Sequence, residues 1–247
     1  MDLGRDGVPD STTLLYFRHP LEAHHLGAAI LAKVGKLLFG NSLKLCGGTI
    51  VNATVIAAPN YTKNSDKAGD PEMHQTYKAG QWNFGMKAHI GVDSATGLIQ
   101  SASVTAANEH DSQQLGNLLH GNETRLYNDS AYRGQQDALK AKSPKVKEFT
   151  NKRAYRNTPL SERDKKANCT KNQTRAKVEH PFLTLKRIWG FAKARYRGLV
   201  KNANRTLAML ALINIDKWGK QLSAIGGWVR PECPVSCESS SKRTPSR

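Results

Sequence analysis

Cysteine is scarce in this chain. Cys46, Cys169, Cys233 and Cys237 are the only four in 247 residues, too few and too scattered for the disulfide framework of a small secreted domain. Cys233 and Cys237 lie close together, but no second Cys/His pair stands near them to complete a zinc site. Long apolar runs are missing as well. No stretch approaches the roughly 18 apolar residues that a membrane-spanning helix needs, so no membrane partner is expected. The opening Met-Asp-Leu-Gly-Arg-Asp-Gly has neither the charged nor the apolar region of a signal peptide. A reducing, cytoplasmic setting follows as the expectation.

Acidic residues are also few, 20 Asp and Glu against 37 Lys and Arg, for a net charge of +17. The imbalance is local. Between Arg133 and Arg205 there are 21 Lys and Arg against 5 Asp and Glu, an excess of 16. A concentrated basic field of this kind suits a phosphate backbone. A solvated basic face or an RNA-binding segment would show the same charge. Hydrophobic residues make up 38% of the chain, enough for the core of one large domain or of one domain with appendages.

Several segments carry clear local signals. Asp10 or Ser11 can cap a helix, Pro20 should interrupt it, and residues 21–39 resume with apolar residues at helical spacing. Residues 49–58 are rich in β-branched side chains and apolar on both faces, which predicts a central strand. Residues 60–80 read as a polar loop. Residues 84–93 and 98–107, joined by Ser94-Ala95-Thr96-Gly97, predict a hairpin beside that first strand. A short helix over 111–119, a short strand 125–129 ending on Asp129, a helix near 135–142 and a strand near 146–150 follow. Residues 152–173 have few apolar anchors and are expected to be irregular or partly helical. Residues 202–218 predict a strongly apolar helix, and 219–247 turn to Gly, Ser, Pro and basic residues, as disordered segments do. The order predicts an α/β fold, a mixed sheet with helices on both faces.

Within the basic field Glu179 stands alone, in Arg175-Ala176-Lys177-Val178-Glu179-His180-Pro181-Phe182. On a uniform helix Arg175, Glu179 and Lys186 share one stripe. An ordinary Arg175–Glu179 surface pair is the simplest explanation. The other is chemical. Two-metal phosphoryl transfer needs carboxylates from different elements converging on hard cations, and Asp129 with Glu179 are the candidates. Pro181 means that the helix either kinks there or begins near Glu179, with the proline in its first turn.

Several longer motifs carry a family resemblance. They are Gly48-Thr49-Ile50-Val51-Asn52-Ala53-Thr54, Asp70-Pro71-Glu72-Met73-His74-Gln75-Thr76, and Phe84-Gly85-Met86-Lys87-Ala88-His89-Ile90-Gly91-Val92-Asp93. Asp129-Ser130-Ala131-Tyr132-Arg133-Gly134, the Glu179 stretch and Arg195-Tyr196-Arg197-Gly198-Leu199 follow in order. With these the chain resembles the DDE-class transposases of bacterial insertion sequences, specifically the insertion sequence five family, over residues 9–216. The resemblance implies a ribonuclease-H-like fold and cleavage and joining of DNA at element ends with Mg²⁺, Mn²⁺ being possible. It further implies double-stranded DNA at ends and target as partner, a homo-oligomer on that DNA, and a place in the bacterial cytoplasm at the nucleoid.

Carried onto this sequence, the resemblance makes Asn52, Asp129 and Glu179 the catalytic positions, with Asp129 and Glu179 holding metal. Arg133, Arg175, Lys186, Arg187, Lys193, Arg195 and Arg197 would face DNA. It also divides the chain into a helical remnant of a DNA-binding region (1–44), a catalytic domain (45–218) and a tail (219–247). Three departures stand out. Asn52 occupies the place of the family's first catalytic Asp, and no acid lies between Glu22 and Asp66 to replace it. Asn172 stands at a Tyr position of the wider pattern, and the amino-terminal helical region is shorter. The sequence therefore predicts a transposase with impaired catalysis. The alternative is a catalytically silent DNA-binding relic, or an inhibitor of an active transposase.

Overall fold

A computed structural model describes residues 10–40, 48–60, 69–78, 80–132, 134–152 and 160–224. Its centre is a six-stranded mixed sheet. The strands are β1 (Gly48–Ala57), β2 (His74–Lys78), β3 (Gln81–Asp93), β4 (Ile99–Ala106), β5 (Arg125–Tyr127) and β6 (Lys147–Glu148). β1 lies between β3, its antiparallel partner, and β5, its parallel partner, and β6 extends the parallel side. β2 pairs with residues 81–85 of β3 and β4 with residues 86–92. Leaving β2 aside, the order β4–β3–β1–β5–β6 gives the ribonuclease-H-like mixed sheet that the sequence predicted.

The central strand is apolar on both faces because each face meets a separate core. Ile50 and Ile56 join the main core, which also takes Val178, Phe182 and Leu185. Val51 and Leu126 pack on the opposite face with Leu115, Leu118, Tyr132 and Leu139. The helices are α1 (Ser11–Ala23), α2 (Leu26–Gly40), α3 (Leu115–Leu118), α4 (Gln136–Lys142), α5 (Glu162–Arg175), α6 (Glu179–Leu183) and α7 (Leu199–Ala224). α2 enters the main core through Leu31, Val34 and Leu38, and α7 through Leu210, Ala211 and Ile213. The two helices meet closely where Gly27 donates its backbone N–H to Asn204 Oδ1 at 2.6 Å. A Cβ on Gly27 would lie 2.3 Å from the Asn204 carbonyl oxygen, so only glycine fits.

Three local expectations need correcting. Asp10 caps α1 by accepting from the Thr13 N–H at 2.7 Å, but Pro20 lies inside the helix, and the break comes at His24–His25, where His25 has φ 49°. The carbonyl that Pro20 cannot bond is that of Tyr16, a residue 70% exposed, so water can satisfy it. The loop expected over 60–80 contains β2, an edge strand whose exposed, polar residues lack the apolar alternation of a half-buried one. The partly helical alternative for 152–173 holds, as α5, a 14-residue helix without a buried residue. Its signal is electrostatic, a Ser161 cap with Glu162 and Asp164 in the first turn. α7 begins at Leu199 and continues six residues past Trp218 to Ala224; residues 225–247 of the expected tail lie outside the described residues.

Candidate functional site

Strand register brings Asn52 and Asp129 side by side. β1 and β5 run parallel, pairing Gly48 with Arg125 and Ile50 with Tyr127. Asn52 stands two residues further along β1, which continues to Ala57, and Asp129 stands two residues past Tyr127, where β5 has ended. Both line a cleft of about 280 Å³ with Lys78, Lys87, Asp111 and Tyr132.

Glu179 approaches Asn52 from the helical layer. Val178 and Phe182 on either side of it are buried in the main core, which turns the exposed Glu179 carboxylate toward β1. Asn52 Nδ2 donates to Glu179 Oε1 at 2.9 Å. The Asn52 Oδ1 accepts from the backbone N–H of Ala53 at 2.8 Å. Asn52 therefore stands between the two carboxylate-bearing elements, with its amide hydrogens facing Glu179.

The single helical stripe expected for Arg175, Glu179 and Lys186 is broken. A 3₁₀ turn, Ala176–Val178, separates α5 from α6, and a π turn, Thr184–Ile188, follows α6. A 3₁₀ turn advances each residue by about 120°, against about 100° in an α-helix, so Arg175 is rotated away from Glu179. Arg175 Nη2 lies 3.8 Å from Asp129 Oδ2, and its Nη1 donates to Asn172 Oδ1 at 3.3 Å. The described residues contain no Arg175–Glu179 ion pair, which removes the simplest explanation of that spacing. Of the two alternatives for Pro181, the structure has α6 beginning at Glu179 with the proline in its first turn.

Lys186 stays with Glu179; the two line a groove with Thr54 and Arg187. Burial, together with the charge of Lys78, pushes the Lys186 ammonium below the usual lysine range, and the Glu179 carboxylate partly offsets this. Lys193 lies beyond the end of β1, where it bridges to Ala57 and lines a separate groove with Trp82. Arg195 and Arg197 lie further off, around a small pocket that also touches Asp70. Arg133 lies outside the described residues. The cations thus line separate grooves rather than gathering at one point.

The structure adds residues that sequence reasoning passed over. Lys78 donates to the Ala53 carbonyl at 3.0 Å, and it belongs to the strand taken for a loop. Lys87 bonds the Glu109 carbonyl at 2.7 Å and pairs with Asp111 at 2.9 Å. Its signal was a lysine at an otherwise apolar strand position. Tyr132 is buried at the cleft, its hydroxyl without a hydrogen-bond partner, and burial raises its pKa. Among the described residues no three His, Cys, Asp or Glu side chains cluster as a metal site. By donor chemistry alone, the residues present could hold one hard cation. Asp129 and Glu179 offer carboxylate oxygens from separate elements, and Mg²⁺ commonly takes one or two carboxylates with water and phosphate completing its shell.

Residues 47–215 match the transposase DDE domain family. Domains of that family generally use divalent metal ions. A cryo-EM structure of the piggyBac transposase synaptic complex with hairpin DNA is similar at 11% sequence identity, with a TM-score of 0.47. The similarity covers 76% of this chain and 50% of that one, so the chain spans half the length of that transposase. No helix among the described residues is long and apolar enough to cross a membrane.

Proposed function

The chain belongs to the transposase DDE-domain family, and on that footing we propose that it is a transposase of the insertion sequence five type with weakened catalysis. Its substrates are double-stranded DNA at element ends and at the target, engaged as a homo-oligomer. The reaction is hydrolytic cleavage followed by strand transfer, supported by Mg²⁺ or Mn²⁺. The observation that carries this reading is the placing of Asn52 beside two acids from other parts of the chain: Asp129 lines the same cleft, and Glu179 is hydrogen-bonded to Asn52 at 2.9 Å.

Asp129 and Glu179 would hold the cation, which when bound activates water or a 3′-hydroxyl and stabilises the leaving oxygen. Asn52 occupies the third position but presents amide hydrogens to Glu179, and its oxygen is taken by the Ala53 N–H. It adds no negative charge, so the cation would be held more weakly than by an Asp. Arg175 orients Asp129, and Lys186 meets phosphate beside Glu179. Arg187, Lys193, Arg195 and Arg197 would add further contacts to the phosphates of a duplex; Arg133 is assigned to DNA by the family resemblance alone.

A second reading draws on the same contact. With Asn52 hydrogen-bonded to Glu179, the carboxylate has a partner without any cation, as suits a DNA-binding relic or an inhibitor of an active transposase. Strand cleavage of an element-end duplex in Mg²⁺ or Mn²⁺ separates the two, with the parent chain and Asn52→Asp compared. Weak cutting by the parent and stronger cutting by the Asp form supports the leading proposal. Equal cutting removes the claim of weakened catalysis, and salt-sensitive binding with no cutting by the parent favours the relic.

A further inference from the structure

We propose that Tyr77 and Trp82 form a platform on which an unpaired nucleobase stacks next to the Asn52–Asp129 cleft. This inference rests on the DNA reading above and specifies a contact within it. The two residues are direct cross-strand partners of β2 and β3. Their rings lie 5.4 Å apart at 58°, and they are 62% and 72% exposed. Aromatic side chains this large normally bury most of their surface. Here the cross-strand contact holds two rings in a fixed relation while leaving their outer faces to solvent.

The pair forms a ridge between two depressions. Tyr77 lines the cleft that contains Asn52 and Asp129. Trp82 lines a neighbouring groove of about 510 Å³ with Pro59, Asn60, Asn83 and Lys193. Each depression carries a cation beside the ridge, Lys78 in the first and Lys193 in the second; Asp111 and Asp129 line the first, and among the described residues no acid lines the second. Exposed rings flanked by lysines suit a ligand that is flat, apolar on its faces and attached to anions. A nucleotide has that chemistry, and every base offers a π face whatever its sequence. A paired base inside a duplex hides its faces, so the platform favours a base at an end or in an overhang. A phosphate at the cleft would place the adjacent base beside Tyr77.

The test uses the full chain and two generic DNA probes, a blunt duplex and the same duplex with a short single-stranded overhang carrying 2-aminopurine at the junction. Stacking on the platform predicts quenching of the 2-aminopurine and tighter binding of the overhang probe than of the blunt one. Trp82→Ala should abolish the quenching and weaken overhang binding on the order of tenfold, leaving blunt-duplex binding unchanged. Trp82→Phe should restore most of both, and Tyr77→Ala should reproduce the loss independently. Unchanged quenching in Trp82→Ala and Tyr77→Ala overturns the platform while leaving the DNA reading intact. Failure of the parent chain to bind either probe in a salt-dependent way overturns both. Loss of self-association in Trp82→Ala, with quenching retained, would assign the ridge to a second copy of the chain and likewise overturn the inference.

Discussion

Asn52 donates its side-chain amide to Glu179 Oε1 at 2.9 Å across the junction between the central strand and the α6 layer. An Asp at this position could not make that bond, because an ionised carboxylate only accepts. Two facing carboxylates would repel unless a cation lay between them. One amide group thus changes what the site does without metal: it is internally satisfied where an acidic pair would be under tension.

Substituting Asn52→Asp should accordingly couple stability to divalent cation. In chelator, loss of the exposed hydrogen bond and the new repulsion should destabilise the chain by about 1 kcal/mol. Added Mg²⁺ should restore the loss, because a ligand that binds only the folded state stabilises it by mass action. The parent chain should respond far less. Thermal unfolding with and without Mg²⁺ checks this, and an equal Mg²⁺ response in both chains would show that Asn52 does not limit cation binding.

Lys186 offers a different handle. Burial and the charge of Lys78 hold its ammonium below the usual lysine range, a strain that a DNA phosphate would relieve. Lys186→Ala should therefore weaken duplex binding and reduce the slope of log affinity against log salt by about one. Fluorescence anisotropy over a salt series measures it. A weaker affinity with an unchanged slope would mean that Lys186 acts on the site without touching phosphate.

Much of this arrangement was legible in the sequence because it depends on patterns with a fixed period. The β-branched run of β1, the hairpin turn Ser94–Gly97 and the strand leading to Asp129 each state their geometry locally. Glu179 was legible as a lone acid in a basic field. What stayed hidden depends on packing between distant segments. β2 has no apolar alternation, because an exposed edge strand is fixed by its hydrogen bonds to β3. The turns on either side of α6 come from seating Val178, Phe182 and Leu185 in the core, and they redirect Arg175 toward Asp129. No helical spacing predicts that. The amide orientation of Asn52 is likewise set by a residue 127 positions away.

His89 gives the fold a measurable acid sensitivity. It is fully buried on β3, with Nε2 2.9 Å from Thr105 Oγ1, and burial, helped by the charges of Lys87 and Lys78, pushes its pKa down to about 4 against the attraction of Asp111. The folded chain therefore keeps this ring neutral while the unfolded chain protonates it near the ordinary pKa of about 6.5. Its contribution is fully present above that value and is lost as pH falls through 6.5 toward 4. The full loss amounts to about 3 kcal/mol. Denaturant midpoints over this window should fall with acidification in the parent and fall less in His89→Gln. Parallel pH profiles for the two chains would assign the acid sensitivity to other groups.

The Asp70-Pro71-Glu72 motif should behave as structure rather than chemistry. Asp70 Oδ2 accepts from the Gly198 N–H and Glu72 Oε2 from the Leu199 N–H, both at 2.6 Å. Leu199 opens α7, whose first N–H groups have no partner within the helix, and the positive end of the helix dipole favours the two carboxylates. Gly198, at φ 94°, makes the turn that presents its N–H to Asp70. Asp70→Ala should cost about 1–2 kcal/mol, as the loss of a helix cap does, and Glu72→Ala less because that side chain is exposed. Denaturant unfolding should show both losses undiminished in Mg²⁺. A Mg²⁺-dependent loss would instead place these acids among the cation ligands.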